Sequence, residues 1–167
     1  MEIFSVIFNF ILHIDVHLGE IIARYGILSY GIIFAIIFAE TGLVFTPLLP
    51  GDSLLFAAGA FSATGSFNIA VLLISLWAAA FLGDTANYLV GHYFGRKIID
   101  NPKIPINQAH IDKTQKFYDK YGGKTIFLAR FVPIVRTFAP FVAGAGKMDY
   151  KKFIYYNATG GFAWVFG

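Results

Sequence analysis

The stretch FLARFVPIVRTFAPFVAGAG, from Phe127 to Gly146, restricts the possible folds more than any other part of the chain. It is apolar and aromatic, yet it carries Arg130, Arg136, Pro133 and Pro140. An arginine at the centre of a bilayer is costly even with its side chain stretched toward water. A proline inside a helix removes a hydrogen bond and clashes with the preceding turn. The segment is therefore neither a plain membrane span nor a soluble core helix. It reads as a broken, re-entrant segment: irregular backbone at membrane depth, tolerated only when buried in protein or lining a wet cavity. On one continuous helix the two arginines would point roughly 120° apart. A break at Pro133 frees both guanidinium groups to face one site, and two permanently charged planar forks suit a phosphate.

Composition places that segment in a membrane. Of the 167 residues, 57% are hydrophobic and 14% charged, with a mean hydropathy of +0.64. A soluble domain carries about 25% charged residues. The length leaves room for one domain. The net charge is +3, and the basic residues fall in two patches without aromatic interleaving, so nucleic acid is not an expected partner. The absence of cysteine excludes disulfide, thiolate and zinc–thiolate chemistry. The histidines do not fall at metal-ligand spacing. His13 and His17 are four apart, but beside Asp15, near a helix end at the water interface. Neither a metal nor a cofactor is expected. The start, Met1-Glu2-Ile3, has no basic n-region and no cleavage site follows, so a removable signal peptide is not expected.

Taken in order, residues 1–24 read as a helix lying in the interface or packing on the bundle, because the run 3–14 is too short to span. Residues 25–62 form a second broken segment. Tyr25–Ala39 is 15 residues without a charge, then come Glu40, Pro47, Pro50, Gly51 and Asp52. Glu40 and Asp52 would stand about 18 Å apart on an unbroken helix, and a reversal at Pro47–Gly51 could bring them together. Carboxylates at membrane depth are rare and functional by default. The plainer readings are a structural charge for Glu40 and an N-cap for Asp52, since Pro-Gly-Asp-Ser is also how a helix begins.

Residues 67–95 are long enough to span. Their second half presents Asp84, Asn87, Tyr88 and Gly91 at helical spacing, and Gly83, Gly91 and Gly95 permit close helix approach. Asp84 is either a further site residue or a partner that orients an arginine. Residues 96–124 hold seven Lys/Arg against three Asp, with a short amphipathic helix at Asn107–Tyr121 ended by Gly122-Gly123. Lys147, Lys151 and Lys152 make the second basic patch. The positive-inside rule places both patches in the cytoplasm. The arginine segment, 125–147, then enters and leaves on one side. Residues 153–167 begin another span, and we expect a C-terminal helix to be missing from the chain. Each broken segment is followed by Ala-Gly-Ala (Ala58–Ala60 and Ala143–Ala145) and then an apolar span, an arrangement like an inverted repeat with a midplane site between broken helices. The expected fold is all-α integral membrane, with two opposed re-entrant hairpins plus transmembrane helices.

The motifs ETGLVFTPLLPGDSLLFAAGAF, GDTANYLVGHYFGR and FLARFVPIVRTFAPFVAGAGKM resemble the DedA family of bacterial inner-membrane proteins, which shares the SNARE-associated, or VTT, domain. The resemblance runs from the N-terminus through Trp164. It implies a multi-pass protein with two opposed re-entrant hairpins that translocates a polyprenyl phosphate or a phospholipid, with undecaprenyl phosphate the leading substrate and a link to the proton-motive force. The family's acidic pair falls on Glu40 and Asp52, and its arginine pair on Arg130 and Arg136. Family members continue for further helices beyond Trp164.

These readings converge on a flippase that is not an enzyme. A lipid phosphate would sit on Arg130 and Arg136 while its tail stays in lipid. Glu40 and Asp52 would pair with the arginines in the empty site, and Asp84, Pro50, Gly51, Pro133 and Pro140 would support it. Its partners are the lipid phosphate, membrane lipids and protons, and a homodimer suits a domain this small. A proton or cation antiporter using the carboxylates alone is the alternative. A lipid-phosphate hydrolase lacks a nucleophile beside the arginines. A scaffold or insertion factor would tolerate neutral substitutions at all four charges.

Overall fold

A computed structural model describes Ser5, Val6, Asn9 and residues 13–43, 51–103 and 108–167. Among the described residues the regular secondary structure is all helical, with no strand. The helices are α1 (Ile14–Tyr25), α2 (Leu28–Gly42), α3 (Gly51–Ala63), α4 (Ile69–Ile99), α5 (Gln108–Tyr121), α6 (Thr125–Ala129), α7 (Pro133–Ala145) and α8 (Tyr150–Phe166), with a 3₁₀ turn, Gly122–Lys124, before α6. Pro47 and Pro50, expected to break the acidic segment, lie outside the described residues, as does the start of the first apolar run.

The central element is α4. Its 31 residues reach roughly 46 Å, and it is the one described helix long and apolar enough by itself to cross a membrane. It begins at Ile69 because the Asn68 side chain accepts hydrogen bonds from the Ala70 and Val71 amides at 3.0 and 3.3 Å. It also runs four residues past the expected end, to Ile99. Apolar periodicity stops at the first charges, whereas the backbone ladder continues through Arg96 and Lys97, whose cations favour a helix C-terminus.

One face of α4 packs on α1–α3 around Leu18, Ile33, Ile37, Leu54, Leu72 and Leu76. The other packs on the α6–α8 half around Tyr88, Ile126, Val135, Ala139 and Phe153. Along most of its length what remains open on α4 is apolar, with Ile74, Leu82, Leu89, Val90 and Phe94 exposed, as a lipid-facing surface requires, while the exposed polar groups His92, Arg96 and Lys97 fall in its C-terminal part.

Small residues set the helix spacing. A Cβ on Gly91 would lie 2.1 Å from the Phe141 carbonyl oxygen, and one on Gly144 2.0 Å from that of Tyr88. So α4 and α7 touch backbone to backbone. On the other side a Cβ on Gly83 would lie 1.8 Å from Thr41 Oγ1. With no hydrophobic gain between helices in lipid, this close packing and interhelical hydrogen bonds hold the bundle.

The arginine segment breaks as expected, but once. The run 109–129 and helix α7 are bent by 112° across Arg130–Val132, with Pro133 at the first turn of α7, where its missing amide costs nothing. Pro140 does not break the chain and sits buried inside α7. The neighbouring Ala139 carbonyl accepts from the Tyr118 hydroxyl at 2.9 Å, and tight packing on α4 holds the helix through the proline. At the other end of α5, Gly122 takes a φ of 58° and ends the helix.

Gly144→Ala should force α4 and α7 apart and cost about 1–3 kcal/mol, read as earlier thermal unfolding in detergent. Gly59→Ala, with nothing within 4 Å of the added Cβ, should be neutral or slightly stabilising. Equal behaviour of the two variants would contradict the packing described.

Candidate functional site

The helix breaks place the charged side chains. Arg130 caps the C-terminus of α6 and Arg136 lies in the first turn of α7, so the bend between them separates their directions. Glu40 is in the last turn of α2, and Asp52 is the second residue of α3.

Arg136 joins the two acidic residues. Its Nη2 donates to Glu40 Oε1 and its Nη1 to Asp52 Oδ1, both at 2.8 Å. Each end of one fork thus holds a carboxylate from a different helix. The Glu40 side chain is 7% exposed and that of Asp52 58%, so the site is closed on the α2 side and open on the α3 side. The guanidinium carbon also lies 5.3 Å from the Trp164 ring centroid. This cation–π contact orients the plane of the fork.

Arg130 does not share those carboxylates. Its Nη2 donates to Asp84 Oδ2 and, at 2.7 Å, to Asn157 Oδ1. Asn157 is itself fixed, donating to the Phe81 carbonyl at 3.0 Å and reaching Thr85 Oγ1 at 3.3 Å. The Arg130 and Asp84 side chains are almost fully buried. The glycines Gly160 and Gly161 make room for them: a Cβ on either would come within about 3.5 Å of the Arg130 side chain. Arg130 Nε and Nη1 and Asp84 Oδ1 have no hydrogen-bond partner among the described residues. Asp84, left between two roles by its spacing, is the carboxylate partner of Arg130.

Three further residues support the site without having been assigned to it from the sequence, which showed Asn87 only as part of a polar helix face. Asn87 donates to the carbonyls of Thr41, at 3.2 Å, and Thr137, at 2.9 Å. These are the chain neighbours of Glu40 and Arg136, so one buried amide on α4 ties together the backbones that carry the ion pair. Asn157 and Trp164 hold the two guanidinium groups as described. Asparagine within an apolar helix was the available signal, because such amides link helices in membranes. Nothing local pointed to Trp164. Gly51 opens α3 immediately before Asp52, and Pro133 opens α7 three residues before Arg136. Among the described residues no group of three or more His, Asp and Glu could hold a metal ion.

Comparison with known proteins identifies the family. The model of the VTT domain family matches residues 49–167. Protein DedA of Escherichia coli K12 is 53% identical, over 99% of this chain and 77% of that protein. An uncharacterized membrane protein of Mycobacterium tuberculosis H37Rv is 42% identical, over 81% of this chain and 60% of its own length. The inner membrane protein YqjA of Escherichia coli K12 is 30% identical, over 81% of this chain and 62% of its own. No solved structure matches. The chain therefore belongs to the DedA family, built on the VTT domain, and is a bacterial inner-membrane protein.

Proposed function

We propose that the protein is a flippase that moves a polyprenyl phosphate such as undecaprenyl phosphate, or a related phospholipid, across the inner membrane, coupled to protons. The observation that carries this reading is the Arg136 fork. It is held in a half-open site by two carboxylates from different helices, the arrangement expected of an anion site whose own acids occupy it between substrates. A phosphate offers the same planar pair of acceptors with more charge. It would displace Glu40 and Asp52 while the isoprenoid tail remains in lipid.

In this reading the bend at Arg130–Val132 is the tip of one of two opposed re-entrant hairpins, and the acidic segment, 25–62, forms the other. The whole chain is one membrane domain, and its basic residues 96–124 face the cytoplasm. Arg130 serves the same substrate through its two unpartnered donors, with Asp84 and Asn157 setting its orientation. Proton coupling follows from charge balance. When phosphate takes Arg136, the buried Glu40 loses its counter-ion, and protonation is the cheapest remedy. The chemistry is transport and not hydrolysis. Phosphate release from undecaprenyl pyrophosphate by the purified protein would overturn that part.

In native mass spectrometry the wild type is expected to retain one more undecaprenyl phosphate than Arg136→Ala. Arg136→Lys keeps the charge but loses the fork, and transport in reconstituted vesicles should fall about tenfold or more. Full transport by the lysine variant would end the fork model. Glu40→Gln should still move lipid but lose its acceleration by an imposed pH gradient. Ion flux without lipid, abolished by the same variant, would instead favour the antiporter. Asp84→Ala leaves Arg130 buried without its counter-ion and should cost about 3–5 kcal/mol in unfolding experiments. The double variant Asp84→Ala/Arg130→Met should recover most of that stability. If it also recovers transport, Arg130 does not touch the substrate.

A further inference from the structure

A second cluster of cations lies away from the Arg136 site and takes no part in the mechanism above. It surrounds a cavity of about 290 Å³ between the C-terminal ends of α4 and α7, lined by Gly91, His92, Tyr93, Gly95, Arg96, Lys97, Ala145 and Lys147. No carboxylate lines it. Arg96, Lys97 and Lys147 are exposed and form no ion pair among the described residues. Three cations around one concavity repel one another unless an anion joins them.

Lys147 supplies a second, independent observation. The end of α7 closes as a Schellman motif: the Met148 amide donates to the Ala143 carbonyl at 2.9 Å and the Lys147 amide to that of Gly144 at 3.0 Å. Lys147 occupies the left-handed position of that motif, at φ 54°, the one non-glycine with positive φ among the described residues. Glycine is the usual residue there because a Cβ is strained in that region. Gly146, one residue earlier, sits at an ordinary φ of −79°. The chain thus carries a lysine, not a glycine, at the left-handed position. Backbone strain of this kind persists where a side chain is needed for function.

The small residues complete the site. Gly91 and Gly95 let the end of α7 lie directly on α4, where a Cβ on Gly95 would come within 2.7 Å of Ala145 Cβ. That contact brings Lys147 beside Arg96 and Lys97. Tyr93 and Phe94, both exposed, adjoin the cations as aromatic residues do at headgroup level.

We propose that this cavity is a binding site for a phosphate group, separate from Arg136, which a lipid headgroup or a soluble phosphate would occupy from the membrane surface. Arg96 supplies a planar fork, and Lys97 and Lys147 supply point charges. The site stands independently of the flippase reading.

The test uses the full chain carrying Arg136→Ala, which removes the proposed transport site. Dioctanoyl phosphatidic acid is titrated in native mass spectrometry, and inorganic phosphate by calorimetry. Lys147→Gly deletes the charge while relieving the backbone strain, so it should unfold no earlier than its parent and bind the phosphate probe about tenfold more weakly. Arg96→Gln should weaken binding similarly. Loss confined to the lipid arm identifies a headgroup site, and loss in both arms identifies a site for phosphate from either source. Equal affinity with and without Lys147→Gly and Arg96→Gln, or no binding in either arm, would overturn the proposal.

Discussion

The structure depends on the cost of holding two guanidinium ions inside an apolar bundle. Arginine keeps its proton in any protein environment, so neutralisation by proton loss is closed to it and each ion needs an acid. Arg136 takes Glu40 and Asp52, and Arg130 takes Asp84. The positions of the helices follow from this requirement. Helices α2 and α3 must bring their ends to α7, and α4 must pass close enough to α6 to lend Asp84. The glycine contacts at Gly83, Gly91 and Gly144 make those distances attainable. Asn87 then ties α2 and α7 to α4 where the ion pair lies. Packing and electrostatics are one design: the helices approach closely because the charges must meet.

Much of this was legible in the chain. Two arginines and two prolines in an apolar run could only mean a broken segment, and Pro133 indeed begins a new helix after a sharp bend. The glycines of α4 announced close approach. Glu40 and Asp52 stood out as acids in apolar surroundings, and they do meet on one guanidinium. The partition of the charges was not legible. Residue spacing treats Arg130 and Arg136 as equivalent, because it carries no information on the angle at the break. Only the 112° bend and the course of α4 beside α6 send one arginine to Asp84 and the other to the acidic pair. Pro140 shows the opposite limit. A local rule forbids it inside a helix, yet a buried helix pressed on its neighbour keeps its shape because tertiary contacts outweigh one lost hydrogen bond. Trp164 reaches Arg136 from the far end of the chain, a contact no local pattern encodes.

The count of charges leads further than their pairing. Three carboxylates face two guanidinium groups, so with every group ionised the cluster carries one net negative charge. Asp52 is exposed and water can bear its charge. Glu40 and Asp84 are buried and depend on their arginines. In the proposed transport cycle, a phosphate entering at Arg136 would add negative charge and remove the counter-ion of Glu40 at the same time. Desolvated carboxylates in that position take up protons before they tolerate isolation. Substrate anion and proton would therefore enter the site together and leave it together. On the proposed transport reading, the buried member of the acidic pair would carry the proton and the exposed member would guide the anion to or from water. If the site binds an anion as proposed, coupling would need no dedicated proton channel, since it would follow from placing one more acid than base around the two arginines.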